Sequence, residues 1–300
     1  MKKTYAKTKK KIFEGVATAL ITPFKNDRID YTAFENLIER QIELGVNALL
    51  FCGTTGEAPT LSEKEKANIF TFAKKTAGDR VPLIFGSGTN SHAATMRLCA
   101  RAIECGADAL LCVTPYYNKG TPRGIVTAFS EVCSLGAPVI LYNIPSRTGV
   151  DVDMDMLKQL SEEENLCAIK ECAGVSRISS ICAEFPDKYA VYSGNDGEFL
   201  PSLSVGAVGV VSVMSNLYPE LISGIYKDFC ANDNQNARKK HLMMQRLNSL
   251  LFSVTNPAPI KYAMSIRGLC ENTLRLPLMP VEGEICKKIE NEMKKIEQNI

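Results

Sequence analysis

Residues 166–174 read LCAIKECAG, an apolar run interrupted by a lysine with a glutamate directly behind it. A short, continuous apolar run closed by glycine has the character of a strand covered on both faces, as in a parallel sheet. The ammonium near its end has two readings. Strands end at solvent, and taken alone the Lys170–Glu171 pair reads as a wet strand end worth roughly 0–1 kcal/mol and carrying no function. If Lys170 points inward instead, it loses hydration, its pKa falls and it becomes a nucleophile toward carbonyls.

Seven further runs share this character: 15–24 (GVATALITPF), 47–53 (NALLFCG), 81–88 (VPLIFGSG), 107–115 (ADALLCVTP), 138–145 (PVILYNIP), 189–196 (YAVYSGND) and 206–213 (GAVGVVSV). Helical patterns lie between them. Residues 30–44 place Phe34, Leu37, Ile38 and Ile42 on one helical face with Gly45 closing it, and Ser62 with Glu65 forms a capping box. Gly106 and Gly136 close later helices in the same way. Eight strand candidates with helical spacers predict an α/β chain of the (β/α)8 TIM-barrel class; a doubly wound sheet would usually use fewer strands in this length. Only helical patterns follow from about residue 218, including 238–252, 260–267 and 283–295. The chain is therefore divided into a basic tail (1–14), a barrel core (15–217) and the last barrel helix with a C-terminal helical extension (218–300).

Composition narrows the function. The 300 residues are 45% hydrophobic, enough for a large core, and the formal charge of +2 leaves no footprint for nucleic acid. The basic cluster, six lysines within the first eleven residues, reads as a solvated terminus rather than a nucleic-acid arm. The following GVATALITPF fails as a signal peptide because Glu14 and Gly15 interrupt the junction, the apolar stretch is short and Pro23 closes it. No run approaches a membrane span, so the chain is expected to be cytoplasmic. Eleven cysteines without a CxxC read as buried, reduced thiols. The two histidines, His92 and His241, have no ligand-like neighbours, so neither a metal nor a Cys-His pair is expected. GSGTNS at 86–91 imitates a dinucleotide fingerprint but lacks its third glycine.

In such barrels chemistry sits where strands pass into βα loops. The strand ends carry GTTGE (53–57), TPYYN (114–118), YNIPSRTG (142–149), KECAG (170–174) and SGND (193–196). Alternation puts Tyr142 on the face of Ile140, and Lys170 on the face of Leu166 and Ala168. If those faces line the interior, a phenol and a desolvated amine converge on one pocket, where the amine can form an imine and the phenol can carry protons. Thr54 and Thr55 fit either a carboxylate cradle or an ordinary capped turn. Arg147 has the fork suited to a carboxylate but equally fits an exposed loop. Tyr116 and Tyr117, adjacent in a loop, fit contact better than catalysis. Glu171 alternates away from Lys170 and reads as structural.

In order and spacing, GTTGE, TPYYN, YNIPSRTG and KECAG closely resemble the dihydrodipicolinate synthase branch of the pyruvate-dependent class I aldolase superfamily, whose other branches include N-acetylneuraminate lyase. The resemblance runs from about residue 15 to 213. It implies a lyase without cofactor or metal that forms a Schiff base between Lys170 and pyruvate and adds the enamine to aspartate semialdehyde. It further implies that Tyr142 shuttles protons through Thr54 to Tyr117 of a neighbouring subunit. Thr55 would bind the pyruvate carboxylate, Arg147 the semialdehyde carboxylate, and Gly194 and Val211 would line the pocket through backbone groups. A homotetramer built from tight dimers is implied as well.

Two departures stand out. Asn195 replaces a usual aspartate, which should not abolish chemistry because Gly194 is retained. In the region that forms the lysine feedback site of sensitive members, Asn90 and Tyr116 match, but Glu63 and Lys66 stand at histidine-bearing positions and Ala94 replaces a glutamate. Weak or absent inhibition by lysine is expected. The rival on the same scaffold is N-acetylneuraminate lyase or a 2-keto-3-deoxy sugar acid aldolase; GTTGE, the tyrosine pair and Arg147 favour the semialdehyde-using branch. A non-catalytic ligand-binding barrel would not require Lys170, Tyr142, Thr54, Tyr117 and Arg147 together.

Overall fold

In the computed structural model, which describes residues 11–299, eight parallel strands close into a barrel in chain order. They are β1 (Gly15–Ala19), β2 (Ala48–Phe51), β3 (Leu83–Gly86), β4 (Ala109–Val113), β5 (Val139–Asn143), β6 (Leu166–Glu171), β7 (Ala190–Ser193) and β8 (Gly209–Ser212), with β8 pairing back onto β1. Each lies inside one of the apolar runs expected to be strands. A two-stranded ribbon, Phe24–Lys25 against Arg28–Ile29, follows β1 and has no counterpart in the sequence reading.

The strands are buried on both faces because each separates two apolar layers. Outside, Val139, Leu141 and Ile169 pack against helix residues such as Phe129 and Leu157. Inside, Ala17, Leu50, Ile84, Leu111, Ile140, Ala168 and Tyr192 fill the barrel. Phe13 closes the lower end: its ring stacks 4.1 Å from that of Tyr192, whose hydroxyl donates to the Phe13 carbonyl at 2.9 Å. The terminal tail thus contributes a core residue; its lysines at positions 2 to 10 lie outside the described residues.

Local signals set the helices. Asp30 accepts from the Ala33 amide and opens the helix Tyr31–Glu43, and the Ser62–Glu65 capping box forms at the start of Glu63–Ala77. One expectation of alternation fails. Leu166 does not share the inner face of Lys170; it packs in the outer layer, because the β5–β6 register slips between Val139↔Leu166 and Ile140↔Ala168. Cys167 is the extra residue of a bulge, and a bulge resets the two-residue period. Ala168 and Lys170 keep the inward phase.

Beyond β8 the chain is helical: Pro219–Cys230, Asn234–Leu251, Ala258–Ile266 and Glu284–Glu297. These helices return to the upper, C-terminal end of the barrel. Lys261, fully buried, places its Nζ 2.5 Å from Glu57 Oε1 and donates to the Thr273 carbonyl at 2.8 Å. The Arg275 amide donates to the other Glu57 oxygen at 3.1 Å. The loop after β2 is therefore bolted from below by a segment far later in the chain.

Candidate active site

Lys170 and Tyr142 are register partners on β6 and β5, both facing inward near the upper end. Lys170 is 6% exposed, and its Nζ makes no hydrogen bond or ion pair among the described residues. Burial holds its ammonium below the ordinary range; Cys172 and Asp196 oppose that shift and the Arg147 cation adds to it. Tyr142 is buried, which drives its phenol well above the ordinary tyrosine range; the neighbouring Cys172 thiol adds to the rise, and the Thr54 hydroxyl and the Arg147 cation oppose it. Burial likewise pushes the Cys172 thiol up to about 11. An amine that favours its neutral form thus stands beside a phenol that keeps its proton.

The groups at the next strand ends are shaped around this pair. Gly194 follows β7, and a Cβ there would lie 2.1 Å from Cys172 Sγ and 3.0 Å from Lys170 Cε, so only glycine leaves the lysine its place. Asp196 is buried and accepts from the Ser212 hydroxyl and from the Val213 and Met214 amides at 2.8 and 3.0 Å, which fixes the end of β8. Burial raises its pKa and these bonds oppose the rise. Asn195 donates to Glu198 at 2.9 Å, a bond that an aspartate could not make. Glu171 points out of the barrel as its alternation predicts, accepting from Asn143 Nδ2 at 3.0 Å and the Ala173 amide at 2.7 Å.

Above Lys170 opens a cavity of ≈ 470 Å³ lined by Thr54, Thr55, Tyr142, Arg147 and Gly194, among others. It meets a second cavity of ≈ 220 Å³ at Thr54, Tyr142 and Arg147, lined further by Cys52, Lys66 and Tyr116. The loop between them is held by close packing: Cys52 and Glu57 adopt left-handed conformations, and Gly86 on β3 leaves no room for a Cβ against the Cys52 carbonyl, which would be 2.2 Å away. Thr55 is buried, while Arg147 stands exposed at the mouth.

Two expected residues lie apart. Val211 faces the barrel interior below the cavity, and it is Val213, just beyond β8, that reaches the lining. Tyr117 is 90% exposed, with φ 71°, and lines neither cavity. Of the lysine-site positions, Glu63 pairs with Arg97 at 2.8 Å, and Lys66 is 8% exposed, its Nζ making no hydrogen bond or ion pair among the described residues.

Sequence reading missed the wall of the cavity supplied by residues 252–256. Asn256 is 5% exposed; its Nδ2 donates to Thr55 Oγ1 at 3.0 Å, and its carbonyl accepts from Arg147 at 3.4 Å. The stretch VTNPAP offered only a turn signal, which gives no hint of what it touches.

A sequence model of the Dihydrodipicolinate synthetase family matches residues 12–296. The 4-hydroxy-tetrahydrodipicolinate synthase of Maridesulfovibrio salexigens is 40% identical over 287 residues, covering 94% of this chain and 98% of that one. Among solved structures, the synthase from Methylacidiphilum fumariolicum SolV superposes with a TM-score of 0.93 at 38% identity, covering 95% of this chain and 96% of that one. The crystal structure of dihydrodipicolinate synthase from Aquifex aeolicus gives 0.92 at 41% identity, with coverage of 95% and 98%.

Proposed function

The chain belongs to the dihydrodipicolinate synthetase family, and from that membership we propose that it is a lyase condensing pyruvate with L-aspartate 4-semialdehyde to 4-hydroxy-tetrahydrodipicolinate, in diaminopimelate and lysine biosynthesis. The observation that carries the reading is the buried Lys170 amine, without a hydrogen bond or ion pair among the described residues, over the Tyr142 ring and under an open cavity.

In the proposed sequence the neutral Lys170 amine attacks the pyruvate ketone, water leaves, and an imine forms. Loss of a methyl proton gives the enamine, whose carbon adds to the aldehyde. The substrate's own amino group then displaces Lys170 from the imine carbon, closing the ring and freeing the enzyme; one water is lost in all. Tyr142 carries the protons, with Thr54, which lines the same cavity, as its relay and Tyr117 of a neighbouring copy as the outer member. The exposure of Tyr117 in a single chain supports that last assignment. Thr55 and Arg147 bind the two carboxylates, while Gly194 and Val211 shape the wall and floor. No cofactor or metal enters these steps.

A homotetramer of tight dimers is part of the proposal, with Tyr117, 90% exposed in a single chain, as the phenol that a second copy would bring to the mouth. We take the enzyme as cytoplasmic: Cys52, Cys99, Cys112 and Cys133 are buried as free thiols, which suits a reducing compartment. No helix among the described residues is long and apolar enough to cross a membrane.

Borohydride reduction in the presence of pyruvate should fix a pyruvyl adduct on the peptide carrying Lys170. An unmodified chain, or an adduct on another lysine, would overturn the mechanism. Turnover with aspartate semialdehyde and none with sialic acid is the expected branch result.

A further inference from the structure

Thr55 and Arg147 sit on different loops, yet one residue far along the chain touches both: Asn256, 201 positions from the first and 109 from the second. We propose that Asn256 is a positioning residue for carboxylate recognition, orienting the Thr55 hydroxyl with its side chain and steadying the Arg147 guanidinium with its carbonyl. The inference rests on the pyruvate-condensing function proposed above.

A threonine hydroxyl has one hydrogen to give and two lone pairs. With the Asn256 amide donating to Thr55 Oγ1 at 3.0 Å, one lone pair is engaged and the hydroxyl hydrogen has no use toward Asn256. It is left for an acceptor in the cavity that Thr55 lines, which suits the carboxylate of a 2-keto acid. The opposite amide orientation would turn that hydrogen toward Asn256 and strand a buried N–H. Buried orphan N–H groups are rarer than under-satisfied carbonyl oxygens, so the donating orientation is the one to prefer.

That orientation leaves Asn256 Oδ1 buried with no hydrogen-bond partner among the described residues. An unsatisfied buried oxygen is destabilising and calls for an explanation. Orientation of Thr55 supplies one, since an apolar side chain here would fill the wall without directing the hydroxyl. The placement is rigid as well: Asn256 leads into the helix Ala258–Ile266, whose Lys261 is pinned to Glu57, two residues beyond Thr55.

The test is steady-state kinetics of wild type, Asn256→Ala and Asn256→Asp between pH 6 and 9, with melting curves and borohydride trapping alongside. Asn256→Ala should raise the pyruvate KM about five- to tenfold with kcat little changed, the pattern of lost uniform binding. Asn256→Asp is nearly isosteric and carries the test if the alanine variant does not fold. Its carboxylate must accept from Thr55 and repel the keto acid, so KM should rise further than for alanine and fall back as the pH drops and the introduced carboxyl takes a proton to donate. A merely structural role would give a near wild-type KM in the aspartate variant and no such pH dependence. A wild-type adduct with unchanged KM in the variants overturns this inference alone; a wild type that forms no pyruvate adduct overturns it together with the proposed function.

Discussion

Lys170 Nζ lies 4.1 Å from the centroid of the Tyr142 ring, each residue inward-facing and level with the other on adjacent strands. The ring shields the amine from water on one side, and Tyr142 and Thr54 line the cavity above it. The contact would favour an ammonium through the ring's quadrupole, yet desolvation outweighs it and the lysine pKa falls.

This sets a pH dependence. Above its lowered folded pKa and below the ordinary value of 10.5, Lys170 is neutral when folded and charged when unfolded. The unfolded chain then binds the extra proton, so stability rises with pH across that window, and the reactive amine gains population in the same direction. Lys170→Met should abolish turnover and raise stability by about 1 kcal/mol near neutral pH. Melting curves should show that gain shrinking as the pH climbs toward 10.5.

Tyr142→Phe keeps the ring over the amine and removes only the oxygen. The lysine stays desolvated, so borohydride trapping should persist, while kcat falls roughly 100- to 1,000-fold for want of a proton carrier. Unchanged kcat would mean that protons travel another way.

Gly194→Ala drives a methyl against Cys172 Sγ and Lys170 Cε. Overpacking of this kind costs about 1–3 kcal/mol, and here part of the strain falls on the lysine proposed to form the imine. Adding Cys172→Ala removes the 2.1 Å contact but leaves the 3.0 Å one, so the double variant should recover stability more fully than activity. Equal stability of single and double variants, read by urea unfolding, would refute the steric account.

Lysine should inhibit weakly or not at all. Lys66, 8% exposed and unpaired among the described residues, lines the cavity beside Tyr116, and Glu63 is engaged by Arg97. An amino-acid effector bringing its ammonium there would meet a like charge and no free carboxylate at either position. Initial rates across a lysine titration check this, and strong inhibition at low concentration would refute it.

The barrel was readable because the strands are short, mainly apolar runs ending in Gly, Pro or a polar turn, a signal that tertiary context reinforces. Lys170 and Tyr142 were readable because period-two alternation survives at the upper end of both strands. Leu166 was misread because a bulge is invisible to alternation, and one extra residue at Cys167 changes its face. Asn256 was missed for a different reason: its meaning lies in contacts to residues 109 and 201 positions away, and no local pattern encodes them.

The Glu57–Lys261 bolt also bears on the order in which the chain is made. Synthesis delivers the N-terminal part first, so the loop carrying Thr54 and Thr55 emerges long before the lysine that neutralises the carboxylate beneath it. Until residue 261 leaves the ribosome, closing that loop would bury Glu57 without its cation, a penalty of several kcal/mol. A fragment ending at residue 217 would lack the Lys261 partner altogether, so its Glu57 could be buried only unpaired or protonated.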